Sequence, residues 1–349
     1  MPVITVRGVM NSSLLGVTMP HEHVFSNLTE QFREPKENSK KGMSEQEVGL
    51  KNLGILHRDP LLIKDNLILD NIKTAQEELL EFKKAGGNSI VDLTLKEIGR
   101  NPDALLQVSE STDVNIIMGC GYYTHDSHPK GMKAKTVKNI TDEIIKDIKS
   151  GTGKSKVKSG VIGELGISDK IYPNEKKVLI AGARAQSQTG TPIVIHAYLR
   201  SKNIMEILDI LSKNHAYLNK VCISHTDGCF DFDYLGDIIK TGAYIAIDCF
   251  GKEFYIIERK FKDSLAFDFI KDLERVKNIK KLIDLGFLSN ILISCDVCLK
   301  ILLHSYGGWG YDHILRNVIP MMQNEGITNE QTNILIRENP KKFFNIENY

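Results

Sequence analysis

Residues 191–198, TPIVIHAY, hold the pattern that decides the fold. Thr191 and Pro192 follow Gly190 in a turn, Ile193, Val194 and Ile195 form a short apolar run, and His196 ends it. Continuous apolar residues suit a parallel strand buried on both faces. An imidazole placed directly after such a run needs a partner if it is buried. The arrangement recurs. Working outward, the other runs are VTMPHEHVF from Val17, SIVDLTL from Ser89, VNIIMGCGYY from Val114, SGVIGELGI from Ser159, KVCISHTD from Lys220, AYIAIDCF from Ala243 and NILISCD from Asn290. With 191–198 they make eight.

Amphipathic stretches lie between the runs. LDNIKTAQEELLEFKKAGG places Ile72, Ala75, Leu79, Phe82 and Ala85 near one helical face and stops at Gly86. SKNIMEILDILSKN, FIKDLERVKNIKKLIDLG and ITNEQTNILIREN behave in the same way. Strand then helix, eight times, predicts an α/β fold of the (β/α)8 TIM barrel type, with an open doubly wound sheet as the rival. The chain, residues 1–349, is read as a single barrel domain. VITVRGVMNSSLLGV predicts a small N-terminal hairpin against it, and residues 27–70 predict a long polar loop with short helical turns. The basic stretch 149–160, KSGTGKSKVKSG, contains GTGKS but not a phosphate-binding loop. Ile148 stands where the first glycine belongs, and the stretch precedes a strand.

Composition excludes several classes. The 45 basic and 44 acidic residues leave a net charge of +1, which gives no electrostatic reason to expect nucleic acid or an anionic membrane. No apolar run reaches the roughly 20 residues of a membrane span. MPVITVRGVMNSS lacks the apolar segment of a signal peptide. Of the six cysteines (Cys120, Cys222, Cys229, Cys249, Cys295, Cys298), most lie in or beside apolar runs. Buried free thiols in a reducing, cytoplasmic setting are therefore expected. Cys295-x-x-Cys298 has no second pair and reads as packing.

The chemistry lies at the ends of the runs. His21 and His23 are two apart on a strand, so both side chains face one way and can chelate a metal. A lone His-x-His is equally compatible with two unrelated histidines. Glu164 follows GVIG, His196 follows TPIVI, His225 follows VCIS and Asp296 follows ILISC. In a barrel these ends converge on one face. Imidazole and carboxylate without thiolate suit Zn, Mn or Co in an open catalytic site. Six ligands exceed the needs of one catalytic zinc, so two metal ions about 3.5–4 Å apart are expected, with Glu164 as the carboxylate between them. The remaining histidines, His57, His125, His128, His215, His304 and His313, read as surface or structural. Glu22 is expected to point away from the metal pair.

These residues resemble the phosphotriesterase-related branch of the amidohydrolase superfamily. The resemblance rests on MPHEH, IVDLT, GCGYY, GELGIS followed by P-x-E-x-K, and A-x-A-x-x-x-T-G-x-P-I-x-x-H. It continues through LISCD, GYDHILRNVIPMM and NPKKFF. It implies that His21 and His23 bind the more buried metal and that His196 and His225 bind the more exposed one. It also implies that Asp296 binds the buried metal and handles the proton. Many members place a carboxylated lysine where this chain has Glu164, and neither Lys158 nor Lys170 matches that position. The glutamate-bridged relatives point to sugar γ-lactones, with or without a phosphate.

The expected function is therefore hydrolysis of a γ-lactone by a binuclear metal-dependent hydrolase. Metal-activated water attacks the carbonyl and Asp296 takes the proton. Tyr123, Lys252 and Arg275 are the expected substrate contacts, the last two as cations for a substrate anion. Solvated surface charge is the competing reading of both. Attack on phosphorus, a one-metal deaminase and a non-catalytic metal-binding barrel are the alternatives. The expected partners are a small molecule and a second copy in a homodimer.

Overall fold

The structure, a computed structural model, describes residues 1–32, 34–35, 37–198, 202–228, 230–256 and 267–346. Eight parallel strands form the central sheet in chain order. They are β1 Thr18–Glu22, β2 Ser89–Asp92, β3 Asn115–Cys120, β4 Val161–Gly166, β5 Ile193–His196, β6 Val221–Ile223, β7 Tyr244–Ile247 and β8 Ile291–Ile293. The expected (β/α)8 barrel is present, with an antiparallel N-terminal hairpin, Pro2–Thr5 against Gly8–Asn11.

Alternation along the strands sorts their side chains. Ile90, Ile116, Ile162, Ile193, Ile195, Ile245 and Ile293 join the layer between strands and helices. Val91, Ile117, Val161, Val194, Cys222, Ala246 and Leu292 fill the barrel interior. Val3 and Leu15 from the N-terminal region, with Phe343 and Phe344 from the C-terminal helix, extend this interior cluster. The interior is thus a packed core, and the six candidate ligands lie beyond it at the C-terminal ends of the strands.

The helices begin and end where local chemistry dictates. In α1 (Ile72–Lys84) the Asn71 side chain caps Thr74 N at 3.0 Å, and Gly86 (φ +99°) lets the chain leave the helix. Pro173 opens the helix Pro173–Thr189, and Glu175 in its first turn accepts from Tyr172 N at 2.9 Å. The expected helices Ile204–Lys213 and Asp272–Asp284 form. The last expected helix forms too, running from Asn329–Asn333 through a π-helical turn, Ile334–Glu338, into Asn339–Phe344 without a break. Among the described residues, the long polar segment after β1 contains short 3-10 turns and the α-helix Leu53–Leu56. A two-residue ladder, Ser26–Asn27 with Ile68–Leu69, pins its base.

The seam between β1 and β8 is closed differently from the other seven junctions. Asp296 N donates to His21 O at 3.1 Å and His23 N to Val297 O at 3.2 Å. The buried Glu22 carboxylate completes the join, accepting from Ser294 Oγ at 2.7 Å, Cys295 N at 2.9 Å and Val297 N at 2.7 Å. Glu22 turns away from the ligands, as expected, and its side chain lies in this seam at the end of β1.

Candidate metal centre

Five of the eight strands deliver the six residues singled out by the sequence to one end of the barrel. His21 and His23 come from the end of β1 and Glu164 from β4, while His196, His225 and Asp296 come from the ends of β5, β6 and β8. His225 (φ +58°) and Asp296 (φ +49°) hold left-handed backbone, an unfavourable conformation for a residue with a Cβ. Gly163 precedes Glu164 at φ +131°, and a Cβ there would lie 2.2 Å from Val194 O. Glycine is therefore required where β4 approaches β5.

The ligating atoms converge. Glu164 Oε1 lies 3.4 Å from His23 Nε2. Glu164 Oε2 lies 3.3 Å from His21 Nε2, 3.0 Å from His196 Nδ1 and 3.7 Å from His225 Nε2. Asp296 Oδ1 is 3.1 Å from His23 Nε2 and 3.7 Å from His21 Nε2. His21–His23–Glu164 and Glu164–His196–His225 each offer atoms within 4.8 Å of one another, and Glu164 belongs to both groups. His21 Nε2 is fully buried and has no hydrogen-bond partner, although carboxylate oxygens stand around it. Such an orphaned nitrogen fits a metal ion, so the donor set can hold one.

Charge supports that fit. Burial works against a charged imidazole at His21, but Glu164, Asp248 and Asp296 outweigh it and raise the group to about 9. Burial is likewise overcome at His23, which Asp296 and Glu164 raise to about 10. At Asp296 burial opposes ionisation, yet Lys252 and His21 hold the carboxyl well below its usual range. The carboxylates thus demand positive charge, which either protons or a metal can supply.

The imidazoles are oriented from behind by residues the sequence reading passed over. Asp248 accepts from His21 Nδ1 at 2.8 Å and from His225 Nδ1 at 2.9 Å. Thr94 Oγ1 lies 2.8 Å from His23 Nδ1, and Tyr311 donates to His23 O at 2.8 Å. These contacts leave Nε2 of all three rings facing the cluster. The signal for Asp248 was available, because it ends the apolar run AYIAI as Asp296 ends ILISC.

Of the expected substrate contacts, Tyr123 lies at the cluster, its hydroxyl 3.3 Å from His196 Nδ1. Burial, with Glu164 next, raises its hydroxyl well above the ordinary value, so it stays protonated. Lys252 and Arg275 are neither solvated surface charges nor free cations. Lys252 is 5% exposed and its ammonium is paired with Asp296 Oδ2. Arg275 is 1% exposed, with Nε on Asp227 at 2.7 Å, Nη1 on Asp272 at 3.0 Å and Nη2 on Lys252 O at 3.3 Å. Three buried acceptors occupy three of the five guanidinium donors. Among the other histidines, His313 is buried against Asp272 at 2.7 Å. Cys120, Cys222, Cys249 and Cys295 are buried free thiols and Cys298 is partly buried, while Cys229 lies outside the described residues. No helix among the described residues is long and apolar enough to cross a membrane.

Comparison with known proteins places this geometry. An N-acetyltaurine hydrolase from Danio rerio is 36% identical over 343 residues, covering 98% of this chain and 97% of that one. A resiniferatoxin-binding protein from Rhodobacter sphaeroides superposes with a TM-score of 0.94 at 31% identity, covering 100% of this chain and 96% of the other. A lactonase from Listeria monocytogenes shares the fold, with a TM-score of 0.79 at 22% identity over 99% and 100% of the two chains. The family profile described as the phosphotriesterase family matches residues 1–344. The chain belongs to the phosphotriesterase family, and several of the relatives it matches are named as hydrolases.

Proposed function

We propose that this chain is a metal-dependent hydrolase that cleaves the acyl bond of a small carbonyl compound, with an N-acetylated amine such as N-acetyltaurine as the first candidate substrate. The observation that carries the reading is the convergence of His21, His23, Glu164, His196, His225 and Asp296 around the orphaned His21 Nε2. The choice of an amide is supported by relatives named for N-acetyltaurine hydrolysis that match nearly the whole chain. The sugar γ-lactone, with or without a phosphate, is the second reading. It involves the same attack on an acyl carbonyl, and Tyr123 offers a protonated hydroxyl to either carbonyl oxygen.

His21, His23 and Asp296 would hold one divalent ion and His196 and His225 a second, with Glu164 between them. Zinc suits these donors first, and manganese or cobalt after it. When bound, the metal pair supplies Lewis acidity that activates water and polarises the carbonyl. Asp296 accepts the proton of the attacking water and delivers it to the leaving nitrogen, which must be protonated before it departs as an amine. For a lactone the same proton goes to the ring oxygen. Tyr123 donates its hydroxyl hydrogen to the carbonyl oxygen as negative charge develops there.

The test is metal content together with a substrate panel: N-acetyltaurine, other N-acetyl amines, sugar γ-lactones with and without phosphate, paraoxon and a purine nucleoside. Two metals per chain and turnover of an N-acetyl amine support the first reading. Turnover of lactones alone replaces it with the second. Activity confined to paraoxon or the nucleoside, or a chain that binds metal and turns over nothing, overturns both. Sedimentation of the same sample tests the homodimer.

A further inference from the structure

Two cations buried beside the cluster need an explanation. Lys252 N donates to Cys249 O at 3.1 Å, and its carbonyl accepts from Arg275 Nη2 at 3.3 Å. Gly251 N donates to Asp272 Oδ1 at 3.0 Å. Arg275, fixed by Asp227 and Asp272, therefore holds the backbone from which Lys252 projects. At the other end the ammonium is bonded to Asp296 Oδ2 and lies 3.5 Å from Cys298 Sγ. A substrate anion could reach this ammonium only by displacing a buried carboxylate from it.

Asp296 also needs a constraint. Its backbone is left-handed, and its two oxygens face different groups. Oδ1 faces His21 and His23, and Oδ2 faces Lys252. Without the ammonium, either oxygen or both could turn to the cluster.

We infer that Lys252 is a positioning residue that divides the Asp296 carboxylate, tying Oδ2 so that Oδ1 alone is presented to the metal ligands. The inference rests on the reading of Asp296 as the proton acceptor. The division matters because an oxygen bound to a metal is a poor proton acceptor, whereas Oδ2, held off the metal by one hydrogen bond to the ammonium, keeps a second lone pair for the proton. The ammonium also repels a nearby divalent cation, so this arrangement weakens metal binding while it keeps Asp296 available.

That trade predicts changes of opposite sign in Lys252→Met. Zinc affinity, measured by competition with a chromogenic chelator, should tighten about tenfold, while kcat on N-acetyltaurine falls about 10–100-fold, the scale of outer-shell effects. KM should stay within about twofold, because the bound substrate does not touch the lysine. Lys252→Gln, which keeps a donor for Oδ2 without the charge, serves if the methionine variant does not fold. Its zinc affinity should shift in the same direction. Weaker or unchanged zinc affinity in a folded variant overturns the inference, as does a raised KM with kcat intact, which would make Lys252 a substrate anchor. The zinc measurement needs no substrate, so it stands apart from the function. If zinc binding tightens but the wild-type chain hydrolyses no member of the panel, the division of Asp296 holds and the proposed reaction fails.

Discussion

Asp248 accepts a hydrogen bond from His21 Nδ1 at 2.8 Å and thereby decides which nitrogen that imidazole presents to the cluster. It does the same for His225. In Asp248→Asn one amide position becomes a donor, so one ring loses its acceptor and can turn over. Metal affinity or turnover should fall about 10–100-fold. Chelator competition and steady-state kinetics on the variant check this, and a wild-type metal affinity would show that the rings are held by other contacts.

Metal and protons compete for the same nitrogens. With His21 raised to about 9 and His23 to about 10, the metal-free chain carries protons there at neutral pH. Metal binding should therefore release about one to two protons, and affinity should rise as pH rises. Calorimetry in buffers of different ionisation enthalpy measures the release. The same shifts set a stability trend for the metal-free chain. Its gain from these histidines is complete below their unfolded value of about 6.5 and is lost as pH rises through 9 to 10. The metal-free melting temperature should fall across that window.

Glu22 is a seam residue, and its replacement should cost stability first. In Glu22→Gln the side-chain amide must turn a donor toward one of Ser294 Oγ, Cys295 N and Val297 N. Leaving a buried group unpaired costs about 1–3 kcal/mol. Urea unfolding should register that loss with an unchanged slope, and an unaffected midpoint would mean that water replaces the lost bond.

Arg275 is predicted to matter for folding more than for substrate affinity. Arg275→Met removes the guanidinium from Asp227 and Asp272 and should cost roughly 3–5 kcal/mol, the scale for breaking a buried ion pair. Asp272 adds a pH signature. Burial opposes its ionisation, but His313 and other partners outweigh burial and lower its value. Its contribution is present above the unfolded value of about 4 and is lost as pH falls through the lower folded value. Asp272→Asn should flatten acid unfolding below pH of about 4, measured by circular dichroism.

The barrel was legible because each strand is a short apolar run with a turn before it, and because a charged group after such a run has no packing role. That logic marked His196, His225 and Asp296, and applied evenly it would have marked Asp248. Other features depend on distant partners. The burial of Lys252 requires Asp296, and that of Arg275 requires Asp227 as well as Asp272 on its own helix; Asp296 and Asp227 are distant in sequence, so the sequence around each cation reads like ordinary surface. The left-handed backbone at His225 and Asp296 is also silent in sequence, since neither residue is glycine. Strand ends were overestimated where the chain turns into the site: NILISCD reads as one run, but β8 stops at Ile293 so that Ser294 and Cys295 can reach Glu22.

The β1–β8 seam also orders events during synthesis. His21 and His23 leave the ribosome long before Asp296, which follows the last of the eight strands. A nascent chain that has exposed residues up to 230 already carries Glu164, His196 and His225, yet its first two histidines lack both the Asp296 carboxylate and Asp248. The six candidate ligands are therefore complete only once β8 has joined the sheet. A chain stalled short of β8 would be left with an open sheet edge and an incomplete set of ligands, two features by which a cell's quality-control machinery can tell it from the finished molecule.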